Sequence, residues 1–177
     1  MGGVNKGLVS FMGQPMIAHV AQRLLPQVDE ILISANLEIP RYEVLGYPVI
    51  ADDIAGFAGP LAGIHKGMQA ASSTHVLTVP CDSPLLPIDL VERLMSGLVE
   101  SEADLAVART DTQVHPVFCL CRKSLASNLQ AFLQGGGRKV SAWHNGLEVI
   151  EVAFDDDPQA FANINTAADL SELESSL

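Results

Sequence analysis

A chain of 177 residues with 48% hydrophobic content has apolar material for one domain-sized core and too little length for two. Ten Lys and Arg against 21 Asp and Glu leave a formal charge of −11. That excludes nonspecific binding to a nucleic-acid backbone, because nothing offsets the phosphate repulsion, but it permits a nucleotide held by a few local donors and a cation. No apolar run reaches the roughly eighteen residues of a membrane span, and the start has neither the basic nor the apolar region of a signal peptide, so the cytoplasm is the expected location. Cys81, Cys119 and Cys121 are too few and too irregular for a disulfide framework and are read as reduced.

Taken in chain order, short β-rich runs alternate with helical ones. Strands are predicted at EILISAN (30–36), YPVIA (47–51), HVLTVP (75–80), DLAVAR (104–109), HPVFCLC (115–121) and EVIEVAF (148–154). Most are continuous apolar runs, as in strands covered on both faces. Pro15, Pro60 and Pro87 each precede apolar residues stepping by three or four: Met16, Ile17, Val20 and Leu24; Leu61, Ile64 and Met68; Ile88, Val91, Leu94 and Leu98. A proline suits a helix start, where its missing N–H costs nothing. Thr166 with Asp169 three residues on predicts a capped last helix. The acidic run DDDP (155–158) reads as a loop. The alternation predicts an α/β fold, a Rossmann-like three-layer arrangement with a mostly parallel sheet between helices, in a single domain over 1–177.

In such sheets ligands sit at the carboxyl ends of the strands. The residues leaving those ends are Asn36, Asp52, Asp53, Cys81 and Asp82. Asp82, in VPCDSPLLP (79–87), ends an apolar strand and should project from the sheet. A carboxylate there can hold Mg²⁺ beside phosphates, since Mg²⁺ takes one or two carboxylates plus phosphate oxygens and water. The competing reading, that Asp82 caps the helix after Pro87, is disfavoured by five intervening loop residues.

GPLAG (59–63) offers two readings that stay open at this point. A helix N-terminus behind a glycine can receive an anion, or the stretch is a plain turn whose Gly63 permits close packing on the sheet. Lys6, in a glycine setting, suits phosphate contact. Neither a full G-x-x-x-x-G-K-[ST] nor a G-x-G-x-x-G occurs. Asn163 and Asn165 in FANINT (161–166) share a face of an extended segment, where they grip a polar ligand or satisfy loop backbone. His115 reads as structural, and His19, His65 and His144 as helix-surface residues. Cys119 and Cys121 alternate onto one strand face, which points to packing ahead of redox chemistry. No Ser-His-Asp or Cys-His arrangement has supporting context.

Together, GGVNKGL (2–8), Asn36, D-x₆-GPLAG (52–63), PCDSP (80–84), His115-Pro116 and FANINT resemble the molybdenum cofactor guanylyltransferases, the MobA family, in order and over nearly the whole chain. PCDSP and the N-x-N-T element are the more specific pieces. The resemblance implies a nucleotidyltransferase fold and transfer of GMP from GTP to molybdopterin, with release of pyrophosphate. It implies Mg²⁺ as cofactor, GTP and molybdopterin as substrates, and molybdenum-insertion proteins and acceptor oxidoreductases as partners. Carried over by position, Asp82 matches the Mg²⁺ and GTP ligand and, with Lys6, the catalytic pair. Gly3, Lys6, Asn36 and Asp52 match GTP-site residues, and Asn163 and Asn165 match the pterin side. Asn5 stands where relatives often carry Asp.

The family begins with an apolar strand running into L-A-G-G-x-x-x-R-M-G-G, of which only Met1-Gly2-Gly3 stands here. The resemblance therefore implies that a central strand and the front of the glycine-rich loop are missing, through truncation or a start placed at an internal Met. Competing functions are a cytidylyltransferase on the same pterin, another nucleotidyltransferase with a phosphorylated acceptor, a noncatalytic nucleotide- or partner-binding module, and a thiol-redox protein using Cys119 and Cys121. PCDSP favours the guanylyl branch.

Overall fold

Apolar runs become strands only where another strand completes their hydrogen bonds, and pairing sets the lengths seen here. A computed structural model describes residues 5–52 and 59–176. After a short 3₁₀ turn at Lys6–Leu8 come a small hairpin, β1 (Ser10–Phe11) with β2 (Gln14–Pro15), and helix α1 (Met16–Leu24). Then follow β3 (Ile33–Ser34), α2 (Ile39–Glu43), β4 (Val49–Ile50), α3 (Pro60–Ala70), β5 (His75–Thr78) and α4 (Leu90–Glu100). The second half holds β6 (Leu105–Thr110), β7 (Gln113–Arg122), α5 (Ala126–Gln134), α6 (Val140–His144), β8 (Val149–Ala153) and α7 (Ala167–Ser176).

The main sheet has the order β5-β7-β6-β8. β5 and β6 both pair antiparallel with β7, and β6 pairs parallel with β8, so three strands run one way and β7 the other. β3 and β4 form a separate parallel pair. The six expected strands are present, but EILISAN and YPVIA shorten to two paired residues each. Among the described residues Ile31 and Leu32 have no ladder partner, so their apolar character alone does not make them strand.

Side chains alternate across the sheet into two cores. Ala106 and Ala108 of β6 and Phe118 and Leu120 of β7 face Leu90, Leu94 and Leu98 of α4 and the Val20 and Leu24 pair of α1. Leu105, Val107, Cys119 and Cys121 face the other way, onto Leu61 and Met68 of α3, Leu129 and Leu133 of α5, and Trp143 of α6. Helices thus cover both faces, and β6, almost entirely buried, is the strand this pattern fits best. α4 approaches β8 through Gly97, whose absent Cβ would lie 2.7 Å from Val152 Cγ2.

Two helix starts follow their signals closely. Pro60 is the first residue of α3, and Pro15 immediately precedes α1. α4 starts at Leu90, three residues beyond Pro87, with Asp89 at its N-cap. The α7 capping box forms in both directions: Asp169 N donates to Thr166 Oγ1 at 3.1 Å, and Thr166 N to Asp169 Oδ2 at 2.9 Å. The acidic loop is tied down by Arg93, which forks onto Asp156 at 2.9 Å through both terminal nitrogens and lies 4.0 Å from the Phe154 ring centre.

His65 and His144 are not surface residues. They are 7% and 6% exposed, because each lies on the packed side of its helix, while exposed positions include Gln69 and Ala70 of α3 and Ser141 and Ala142 of α6. His19 is half-buried and hydrogen-bonded to Phe11 O at 2.8 Å.

Candidate functional site

β3, β4 and β5 end at the mouth of one cavity of about 910 Å³, and the residues leaving those strands line it: Asn36, Asp52, Cys81 and Asp82. Asn36 and Asp52 bind each other reciprocally. Asn36 Nδ2 donates to Asp52 Oδ2 at 2.5 Å, and Asp52 N donates to Asn36 Oδ1 at 3.0 Å. The pair bridges the ends of β3 and β4 and presents a carboxylate and an amide on one rim.

Gly59 and Pro60, at the start of α3, line the same mouth. Gly59 caps the helix with φ +66°, a left-handed value that favours glycine. Gly63 packs so closely on β3 that a Cβ would fall 2.5 Å from Ser34 Oγ. The packing reading of GPLAG is met, since Gly63 permits the close approach, and the helix start also faces the cavity.

Asp82 follows β5 and is 8% exposed. Lys6 Nζ reaches Asp82 Oδ2 at 3.2 Å and also donates to Asn165 Oδ1. The 82–83 turn is fastened to the 163–165 segment twice more: Ile164 N donates to Asp82 O at 3.0 Å, and Ser83 Oγ to Asn163 Oδ1 at 2.6 Å. Lys6, Asp82, Asn163 and Asn165, spread over most of the sequence, thus meet at one place. Asp82 does not cap α4, whose N-cap is Asp89.

Two unforeseen residues shape this corner. Tyr42 of α2 donates its hydroxyl to Asn5 Oδ1 at 2.5 Å, and burial pushes its pKa up to about 12, so it stays a donor. Ser83 engages Asn163 through the serine of PCDSP, a residue the motif already contained. Tyr42 had no sequence signal, since its partner lies 37 positions away. Gly7 fits between Tyr42 Oη and Cys81, which a Cβ would approach to 3.1 and 3.2 Å. Burial, and then the neighbouring Asp82, push the Cys81 thiol above its usual range, which makes it a poor nucleophile.

The remaining candidates serve structure. His115 Nε2 lies 2.7 Å from Thr110 Oγ1, and its ring stacks on Phe161 at 4.8 Å. Cys119 and Cys121 are fully buried in the α3–α5 core, and burial raises Cys119 to about 11 and Cys121 well above the usual thiol range. Neither thiol ionises readily, which removes the physical basis for redox exchange there. Gly3 and Asp53 lie outside the described residues.

Among the described residues no three acidic, His or Cys groups stand close enough to hold a metal by themselves. A cation at this mouth would rest on Asp82 and on oxygens of its ligand. Asp82 suits that arrangement: Oδ2 meets Lys6, and no described residue donates to its other oxygen. With a cation from Lys6, backbone donors at the α3 start and a free carboxylate oxygen, the mouth can hold a polyphosphate and neutralise charge developing on it.

Comparisons with known proteins show the family and the fold. The family model described as the MobA-like NTP transferase domain matches residues 1–149. The chain is 47% identical over 182 residues to a molybdenum cofactor guanylyltransferase from Ralstonia nicotianae, covering 98% of this chain and 89% of the relative. It is 45% identical over 177 residues to one from Bordetella petrii, covering 98% and 90%. The fold is similar to the crystal structure of molybdopterin-guanine dinucleotide biosynthesis protein A from Archaeoglobus fulgidus, with a TM-score of 0.80 and 22% identity, covering 98% of this chain and 91% of that one.

Proposed function

The chain belongs to the MobA-like NTP transferase domain family, and on that premise we propose that it transfers GMP from GTP to molybdopterin, forming the guanine dinucleotide cofactor and releasing pyrophosphate. One nucleotidyltransferase domain spanning 1–177 carries the reaction. The observation that supports this reading best is the convergence of Lys6, Asp82 and Asn165 at a cavity mouth whose other rim is Asn36 and Asp52.

The reaction brings together two anions, the terminal phosphate of molybdopterin and the α-phosphoryl group of GTP. Alignment and charge neutralisation are therefore the main tasks. Asn36 and Asp52 hold the nucleoside on their rim, and Gly3 belongs to the same GTP contact set. Lys6 contributes a positive charge to the phosphates, and the backbone N–H groups at the α3 start add further donors. Asn163 and Asn165 position the pterin substrate. Because Lys6 touches both Asp82 and Asn165, it stands between the nucleotide side and the pterin side, where the transferred group passes. Asp82 would hold Mg²⁺ through its free oxygen; the ion supplies Lewis-acid stabilisation of phosphoryl charge. No protein base is required, since the attacking phosphate is already ionised at neutral pH.

The test is pyrophosphate release from GTP and from CTP, each with molybdopterin and Mg²⁺, alongside Mg²⁺-dependent GTP binding by calorimetry. GTP is expected to bind and to turn over at least tenfold faster than CTP. Equal or preferential use of CTP would move the protein to the cytidylyl branch, and GTP binding without turnover would support a noncatalytic module.

A further inference from the structure

The two asparagines beside Asp82 are not equivalent. Asn165 spends most of its amide inside the chain: Oδ1 accepts from Lys6 Nζ, and Nδ2 donates to Asn163 O at 3.3 Å. Asn163 spends only its oxygen, which accepts from Ser83 Oγ at 2.6 Å. The Asn163 side chain is exposed, and its Nδ2 meets no acceptor among the described residues.

Ser83 decides which way the Asn163 amide turns. Ser83 is fully buried, so its hydroxyl hydrogen cannot bond to bulk water and needs an acceptor within the chain. Among the described residues the side chain of Asn163 is the acceptor it reaches. An amide turned over would present its NH₂ group to the hydroxyl, and the serine hydrogen would then be buried without a partner. The oxygen is therefore held inward and the NH₂ group outward. The hydroxyl is not what joins the two segments. Ile164 N donates to Asp82 O at 3.0 Å, a backbone bond that needs neither side chain, and Ile164 is itself buried against Phe11 and Met16. Lys6 adds a second link, between Asp82 and Asn165. With the segments tied in these ways, one task is left to the Ser83–Asn163 bond: orienting an exposed amide.

We infer that Ser83 is a positioning residue for the acceptor substrate: by taking the Asn163 oxygen it turns the Asn163 NH₂ group outward, as a pair of N–H donors for the terminal phosphate of molybdopterin. This rests on the pterin-side role of Asn163 given above. The chemistry matches in sign. An ionised phosphate offers acceptor oxygens, which N–H donors satisfy, whereas the amide turned the other way would set its own oxygen against them. Holding the amide in place before the substrate arrives also removes an ordering cost from the binding of that substrate alone. Ser83 touches no reacting atom. Asp82, one residue earlier in the same turn, serves the nucleotide, so the two neighbours divide the substrates between them.

The test is steady-state kinetics with molybdopterin and GTP varied in turn at fixed Mg²⁺, for Ser83→Ala, Asn163→Ala, the double variant and Asn163→Asp, each checked for its fold by circular dichroism. Ser83→Ala is expected to raise KM for molybdopterin about fivefold, the scale of ordering one freed side chain, and to leave KM for GTP and kcat within about twofold of the parent chain. Added to Asn163→Ala it should change nothing further, because no amide is left to orient. Asn163→Asp should raise KM for molybdopterin more than Asn163→Ala does, since it turns a carboxylate oxygen toward the phosphate. Ser83→Cys, similar in volume but with a weak S–H donor, should fall between the parent and Ser83→Ala, and it takes the place of Ser83→Ala if that variant is destabilised. If Asn163→Ala leaves KM for molybdopterin unchanged, the pterin-side role itself falls. If Asn163→Ala raises that KM and Ser83→Ala does not, the orienting role alone is overturned. A rise in KM for GTP as large as that for molybdopterin would mean that Ser83 merely holds the turn, and would overturn it too. Additive effects in the double variant, or an unchanged KM for molybdopterin in Asn163→Asp, would do the same.

Discussion

Asp82 is nearly buried, yet one of its carboxylate oxygens meets no donor among the described residues, while Lys6 occupies the other. That combination suits a cation held jointly with a ligand, and it makes the carboxylate hard to replace. Asp82→Ala should lower turnover by two orders of magnitude or more, the scale of losing one preorganised electrostatic group. Near-normal pyrophosphate release by that variant, with its fold checked by circular dichroism, would remove Asp82 from the mechanism. Asn163 offers a finer test. Its amide accepts from Ser83, and under the proposed role of positioning the pterin substrate Asn163→Ala should raise KM for molybdopterin about tenfold, the worth of one hydrogen bond to a charged group, and leave KM for GTP unchanged. At this scale much was legible beforehand. Strand-end position picked out Asn36, Asp52 and Asp82, and all three line one cavity, because residues leaving the same ends of neighbouring strands come together there. Tyr42 and the mutual grip of Asn36 and Asp52 were not legible, since they depend on which loops meet.

At the scale of elements, the contacts of single glycines set the spacing of layers. Gly97 lets α4 lie directly on β8, and the nearest atom to its absent Cβ belongs to Val152, a β-branched side chain with little room to turn. Gly97→Ala gains about 1 kcal/mol of helix propensity and loses more to overpacking. The expected net loss is about 1–2 kcal/mol, read as a lower urea midpoint at unchanged m-value. An unchanged or higher midpoint would show that the α4–β8 contact relaxes freely. Strand lengths show the limit of sequence patterns. The DLAVAR run became the six-residue buried strand β6 because β7 and β8 flank it, while in the equally apolar EILISAN only Ile33 and Ser34 pair, with β4. α5 carries Leu129 and Leu133 at helical spacing, a signal passed over because no proline or capping pair announced it.

Across the whole molecule, buried histidines link stability to pH. His144 is packed beside Trp143 with its Nε2 unpartnered among the described residues, and burial lowers its pKa to about 4. In the unfolded chain it titrates near 6.5, so between those values the unfolded state binds the extra proton and gains relative to the folded one. Stability is then complete above about pH 6.5 and falls as pH drops toward 4, by about 2 kcal/mol between pH 7 and 5 from this group. Burial shifts His115 in the same direction and adds to the trend. Urea denaturation at pH 7 and pH 5 checks this, with His144→Phe expected to flatten the difference. An equally steep loss in the variant would assign the acid sensitivity elsewhere.

By itself, the sequence determined the alternation of strands and helices, the helices on both faces and the acidic and amide residues at strand ends, because hydrophobic period and strand-end position are local properties. The tertiary structure decided the rest. It brought Lys6 from one end of the chain and Asn163 and Asn165 from the other onto the Asp82 turn, contacts that span up to 159 positions. It turned His65 and His144 inward. It also set how long each strand is, because the length and partners of a strand depend on what lies beside it, and that is a property of the assembled sheet.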